Sequence, residues 1–102
     1  MGPYIAPETA RTYLQDVEPL WRAYWFHMHL MAKNLREFAD GLGVISDDVF
    51  DFHVSGQKND LARWVREVIG DAELAALLDN VRTKEEAFAL AKARVKDLES
   101  AA

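Results

Sequence analysis

The sequence predicts an all-α domain: a compact bundle of five to six helices, with one long helix over about residues 19–40 and a long C-terminal helix over about 84–99. Three observations predict it. Apolar residues recur at alternating steps of three and four from Leu14 through Val17, Trp21, Tyr24, Met28, Met31, Leu35 and Phe38 to Leu42, the seam of a helix packed against other helices. Leu61, Trp64, Val65, Val68 and Ile69 fall at i, i+3, i+4, i+7 and i+8, an amphipathic helix face. Helix-starting residues stand before the helical runs: Ser46, Asn59 or Asp60, Asp71, and Thr83 with Glu86 three positions on.

The chain of 102 residues fits one helical domain, 1–102, with residues 1–6 expected to fray. Half of the residues are apolar or aromatic and 28% are charged, a globular mixture that argues against disorder. Pro7 opens a short helix, with Glu8 at the positive end of its dipole and Leu14 and Val17 facing inward. Pro19 is placed to open the long helix, which would run roughly 33 Å at about 1.5 Å per residue. Trp25 to Met31 also alternates as a strand would, but it lies inside the helical pattern. A competing reading breaks this helix at Asn34, because Asn34 and Glu37 have the spacing of a capping box. Gly41 and Gly43 end it. Ser46 then caps a short helix, 47–54, with Asp47 and Asp48 in its first turn. Residues 55–58, Ser-Gly-Gln-Lys, form a turn before the Trp64 helix, which Gly70 stops. Asp71 caps a helix whose inner face is Leu74, Leu77, Leu78 and Val81. Phe88, Ala91, Val95 and Leu98 form the seam of the last helix.

Composition narrows the function. The chain has no Cys, which removes disulfides, thiolate metal sites and cysteine nucleophiles and fits a cytoplasmic protein. The formal net charge is −5 and the basic residues are interleaved with acids, so neither nucleic acid nor an anionic membrane is an expected partner. No apolar run approaches the ~20 residues of a membrane span, and the first ten residues do not read as a secretory signal. No phosphate-binding glycine loop is present, and Ser46 and Ser55 lie outside any nucleophile elbow. No catalytic set is found, so the chain is read as a non-enzyme with no cofactor.

The histidines and nearby acids are weak metal candidates: His27, His53 and Asp51. His27 and His29 have chelate spacing on a strand but lie about 200° apart on a helix, the form expected here. His27 and Met31 share a helical face at i and i+4, a spacing considered for haem or copper, although Met31 already belongs to the seam. Asp47, Asp48 and Asp51 lack the calcium-loop pattern, and helix-start acids account for the first two. His53, at the end of a short helix, is either a pH-responsive or ligand-binding imidazole or a side chain that holds the Ser55-Gly56 turn. Trp64 reads as core. Trp21, Tyr24, Trp25 and Phe26 surround a single helical turn, and a helix apolar all round is covered all round. Trp21, Trp25, Phe26 and His29 are therefore the expected interface of a homodimer.

The stretch from Phe52-His53 through Asp60, Trp64-Val65 and Gly70-Asp71 to Leu74-Ala75, preceded by Tyr24-Trp25-Phe26 and Leu35-Arg36-Glu37-Phe38, resembles a small helical domain of unknown function found in prokaryotes, archaea included. That pattern reads Phe-His, Asp-x-x-x-Trp-Ile and Gly-Asp-x-x-Leu-Ala, and the likeness covers roughly residues 23–81. Here Val65 replaces the usual Ile, and the turn before Asp60 is longer and lacks an Arg-Gly pair. The resemblance implies a helical fold and carries no activity. The expected function is a self-associating interaction or accessory domain. The alternative is a small-ligand, metal or haem sensor using His27, His53 and neighbouring acids.

Overall fold

The computed structural model describes residues 4–102. The fraying expected of residues 1–3 lies outside the described residues. Tyr4 is exposed, but Ile5 packs on the core and lies against the end of the last helix.

Among the described residues there are six α-helices and two small antiparallel sheets, so the fold is mostly helical but not all-α. The chain order is α1 (Pro7–Leu14), a 3₁₀ turn (Leu20–Arg22), β1 (Tyr24–His27), β2 (Leu30–Ala32), α2 (Leu35–Leu42), α3 (Asp47–His53), β3 (Val54–Ser55), β4 (Lys58–Asn59), α4 (Asp60–Trp64) continued by a π turn (Val65–Ile69), α5 (Ala72–Leu78) and α6 (Lys84–Ala101). Helix α6 packs against α1, α2 and α5. No helix among the described residues is long and apolar enough to cross a membrane.

The expected long helix over 19–40 is corrected. Residues 24–32 form a hairpin, and only α2 survives from that span. Two local causes outweigh the helical periodicity. The first is the aromatic run Tyr24–His27, whose side chains suit a pleated, half-buried surface. Along β1 they alternate buried and exposed, so Tyr24 and Phe26 go inward while Trp25 and His27 go outward. The second is the Asn34 cap: its side chain accepts a hydrogen bond from the Glu37 N–H, and Glu37 Oε1 accepts from the Lys33 N–H. The reading that broke the helix at Asn34 therefore describes this boundary. Pro19 precedes a single 3₁₀ turn rather than a helix. Met28, placed on the helical seam by its spacing, is 78% exposed.

The remaining boundaries follow from local chemistry. Ser46, Asn59, Asp71 and Thr83 each cap the following helix, and Thr83 with Glu86 forms the full reciprocal box. Gly70 closes the π turn at φ +89°, a left-handed conformation that costs glycine little. The core is formed by Tyr24, Phe26, Leu35, Phe38, Leu42, Leu61, Trp64, Val65, Leu74, Leu78 and Leu98 and their neighbours. Leu77 and Phe88, expected inside, are half-exposed and at the rim.

Candidate functional site

The turn at residues 55–58 builds the site. Two-residue pairing sets Ser55 opposite Lys58 and Val54 opposite Asn59, and Gly56 takes φ +59° at the tip. The next positions outward along the two strands are His53 and Asp60. His53 Nδ1 stands 3.1 Å from Asp60 Oδ2. His53 Nε2 stands 2.7 Å from the main-chain carbonyl of Phe26 on β1 and donates to it, because a carbonyl only accepts. The His53 side chain is buried, so this one residue joins β1, α3 and α4 through hydrogen bonds shielded from water.

Above this pair the aromatic side chains converge. The Tyr24 ring lies 5.2 Å from His53, 5.6 Å from Trp64 and 4.8 Å from Phe26, the last in edge-to-face contact. Trp64 stacks on Phe38 and donates its indole N–H to the Arg22 carbonyl at 2.8 Å. The Tyr24 hydroxyl is buried and has no hydrogen-bond partner. Burial raises the phenol above its ordinary pKa, the Asp60 carboxylate adds to the rise, and Arg63 opposes it. Tyr24 therefore keeps its proton.

A cleft of about 240 Å³ opens beside these groups, lined by Tyr24, Trp25, His53, Asp60, Arg63, Trp64, Glu67 and Val68. The π turn supplies Glu67 and Val68; its Gly70 and Asp71 amides both reach back to the Val65 carbonyl. Single π turns inside helices recur at functional sites. Asp60 is surrounded by cations: Lys58 Nζ is 3.5 Å from Oδ2, and Arg63 Nη2 is 3.6 Å from Oδ1. Aromatic and charged side chains thus share the walls of one cleft.

The other expected site residues do not join it. His27 and His29 sit at the exposed end of the hairpin, where His27 Nδ1 accepts from the His29 main-chain N–H at 3.2 Å. The i, i+4 pairing of His27 with Met31 does not exist, because residues 27–31 are a strand end, a turn and a strand. Asp51 is exposed on α3. Among the described residues no group of three or more His, Asp or Glu is placed to hold a metal ion. His53 does not hold the Ser55-Gly56 turn itself; it clasps the residues on either side of it. Trp21 is 78% exposed and Trp25 is 44% exposed, but Phe26 is buried beneath the hairpin and leaves the expected interface. Sequence reading placed Asp60 as a helix cap and Tyr24 as seam. The signal for the first was the tight turn, which makes positions 53 and 60 face each other; nothing local announces the second.

Most of the residues that carried the family resemblance serve the fold, while Phe52 and Trp25 are exposed. His53 and Asp60 pair, Trp64 reaches Arg22, Gly70 takes the left-handed turn, Asp71 caps α5, and Leu74 and Ala75 are fully buried. Comparison of the chain with protein-family models, with curated proteins and with solved structures finds no match.

Proposed function

We propose that the chain is a non-enzymatic interaction domain that associates with a second copy of itself through the outer face of the β1–β2 hairpin and the turn before it. The supporting observation is the exposure of Trp21 at 78%, Met28 at 78%, Leu20 at 53% and Trp25 at 44% within nine consecutive positions. Large apolar side chains so concentrated at a surface mark contact sites, and Trp is among the residues that dominate interface energies. Charge favours a like partner. Residues 20–29 carry Arg22 and two histidines and no acid, in a chain of net charge −5. Two copies can meet there without opposing their acidic surfaces.

The test is sedimentation velocity from low to high micromolar concentration. The reading expects a concentration-dependent dimer that Trp21→Ala converts to monomer while the fold is retained. A wild-type monomer throughout that range rejects it.

A further inference from the structure

We infer that Met28 makes the hairpin contact sensitive to oxidation: a hydroperoxide converts its thioether to the sulfoxide, and the two copies then separate. This rests on the self-association proposed above and supplies its regulation. The chain has no cysteine, so no thiol competes with methionine for the oxidant. Both methionines among the described residues belong to the one hairpin. Met28 stands at its tip, between His27 and His29, and is 78% exposed. Met31 lies opposite Trp25 across the two strands, which puts it on the same outer face, but it is half-buried. Access to the sulfur therefore ranks Met28 first.

The reaction is the transfer of one oxygen atom. The Met28 sulfur attacks a peroxide oxygen, and an S–O bond forms as the O–O bond breaks. Sulfur is oxidised by two electrons. With hydrogen peroxide the hydroxide that leaves takes the proton of the transferred oxygen and departs as water. The product carries a polar S–O group where an apolar side chain stood. Covering that group with the tryptophans of a second copy takes it out of water without a hydrogen-bond partner, which is unfavourable. A twofold contact presents every residue twice, so one oxygen per chain counts twice against the dimer. Attack falls on the separated chain, where the sulfur is open to solvent. Association and oxidation thus compete for one side chain, and the oxidised chain is drawn off by mass action.

The experiment treats the full chain with limiting hydrogen peroxide, locates the added oxygen by mass spectrometry, and repeats the sedimentation titration. Oxygen is expected at Met28 first, more slowly as protein concentration rises, with the dimer about tenfold weaker afterwards and the circular dichroism unchanged. Met28→Leu keeps an apolar side chain at the tip and is expected to dimerise before and after the same treatment. Enzymatic reduction of the sulfoxide is expected to restore the wild-type dimer. The inference alone is overturned if the untreated chain dimerises and the oxidised chain does so equally well. It is also overturned if oxygen enters Met31 ahead of Met28, if oxidation unfolds the chain, or if oxidised Met28→Leu loses the dimer as the wild type does. An untreated chain that is already monomeric rejects the self-association reading, and this inference with it.

Discussion

Arg94 on α6 grips Asp71 at the start of α5 through two parallel hydrogen bonds, Nε to Oδ2 at 2.7 Å and Nη2 to Oδ1 at 3.0 Å. The Asp71 side chain is 1% exposed and also accepts from the Leu74 N–H, so one carboxylate caps α5 and ties it to α6. Burial opposes the charge on Arg94, but the Asp71 and Glu73 carboxylates outweigh it and raise the guanidinium pKa.

Breaking this pair from one side strands a charge in the core. Arg94→Ala is expected to cost about 3–5 kcal/mol of unfolding free energy, measured by urea titration. The exposed pair of Arg36 with Glu99, although only 2.6 Å apart, gives the contrast: Arg36→Ala is expected to cost less than about 1 kcal/mol.

His53→Ala removes a buried ring and leaves the Phe26 carbonyl and Asp60 without their partner. The expected loss is about 2–4 kcal/mol by chemical denaturation. Amide exchange in β1 should accelerate in the same variant, because His53 ties that strand to α3 and α4.

Glycine is needed at position 41 for closeness. A Cβ there would run into the Phe26 ring, which is buried and cannot yield. Gly41→Ala is therefore expected to lower stability by about 1–3 kcal/mol despite the better helix propensity of alanine. At Gly43 the added Cβ meets Phe88 at 2.7 Å, and Phe88 is 36% exposed and can swing aside. Gly43→Ala is expected to fall within about 0.5 kcal/mol of the wild type. Thermal melts of the two variants side by side test the difference.

Glu86 accepts from the Arg82 and Thr83 main-chain N–H groups, and these bonds hold its carboxyl below the ordinary carboxylate range. The folded value is lowered, so the stability it adds is fully present above the unfolded pKa and is lost as pH falls through the folded one. Acidification from pH 6 to pH 3 should therefore shrink the difference in melting temperature between wild type and Glu86→Gln. A difference that stays constant across that range excludes this role.

The helix starts, the stop at Gly70 and the amphipathic face of residues 61–69 were legible because each is written within one or two helical turns; the left-handed turn expected after the helix ending at Gly41 and Gly43 falls instead at Gly70. A capping side chain needs an amide three residues away, and that spacing is fixed by the backbone. The same locality misled at residues 19–33, where the three-four rhythm of apolar residues is shared by a helix and by an aromatic hairpin. What separates the two there is the surface that Tyr24 and Phe26 meet: Phe38, Gly41, His53 and Trp64, all distant in the chain. The site lies further out of reach of sequence. The tight turn could set His53 against Asp60, but the Phe26 carbonyl is 27 residues from His53, and the Tyr24 ring meets His53 and Trp64 only once β1 packs against α3 and α4. Sequence alone therefore determined the caps, turns and helical segments, because their bonds close within a few residues. Only the tertiary structure decided the hairpin, the buried phenol and the cleft, because packing between distant segments creates them.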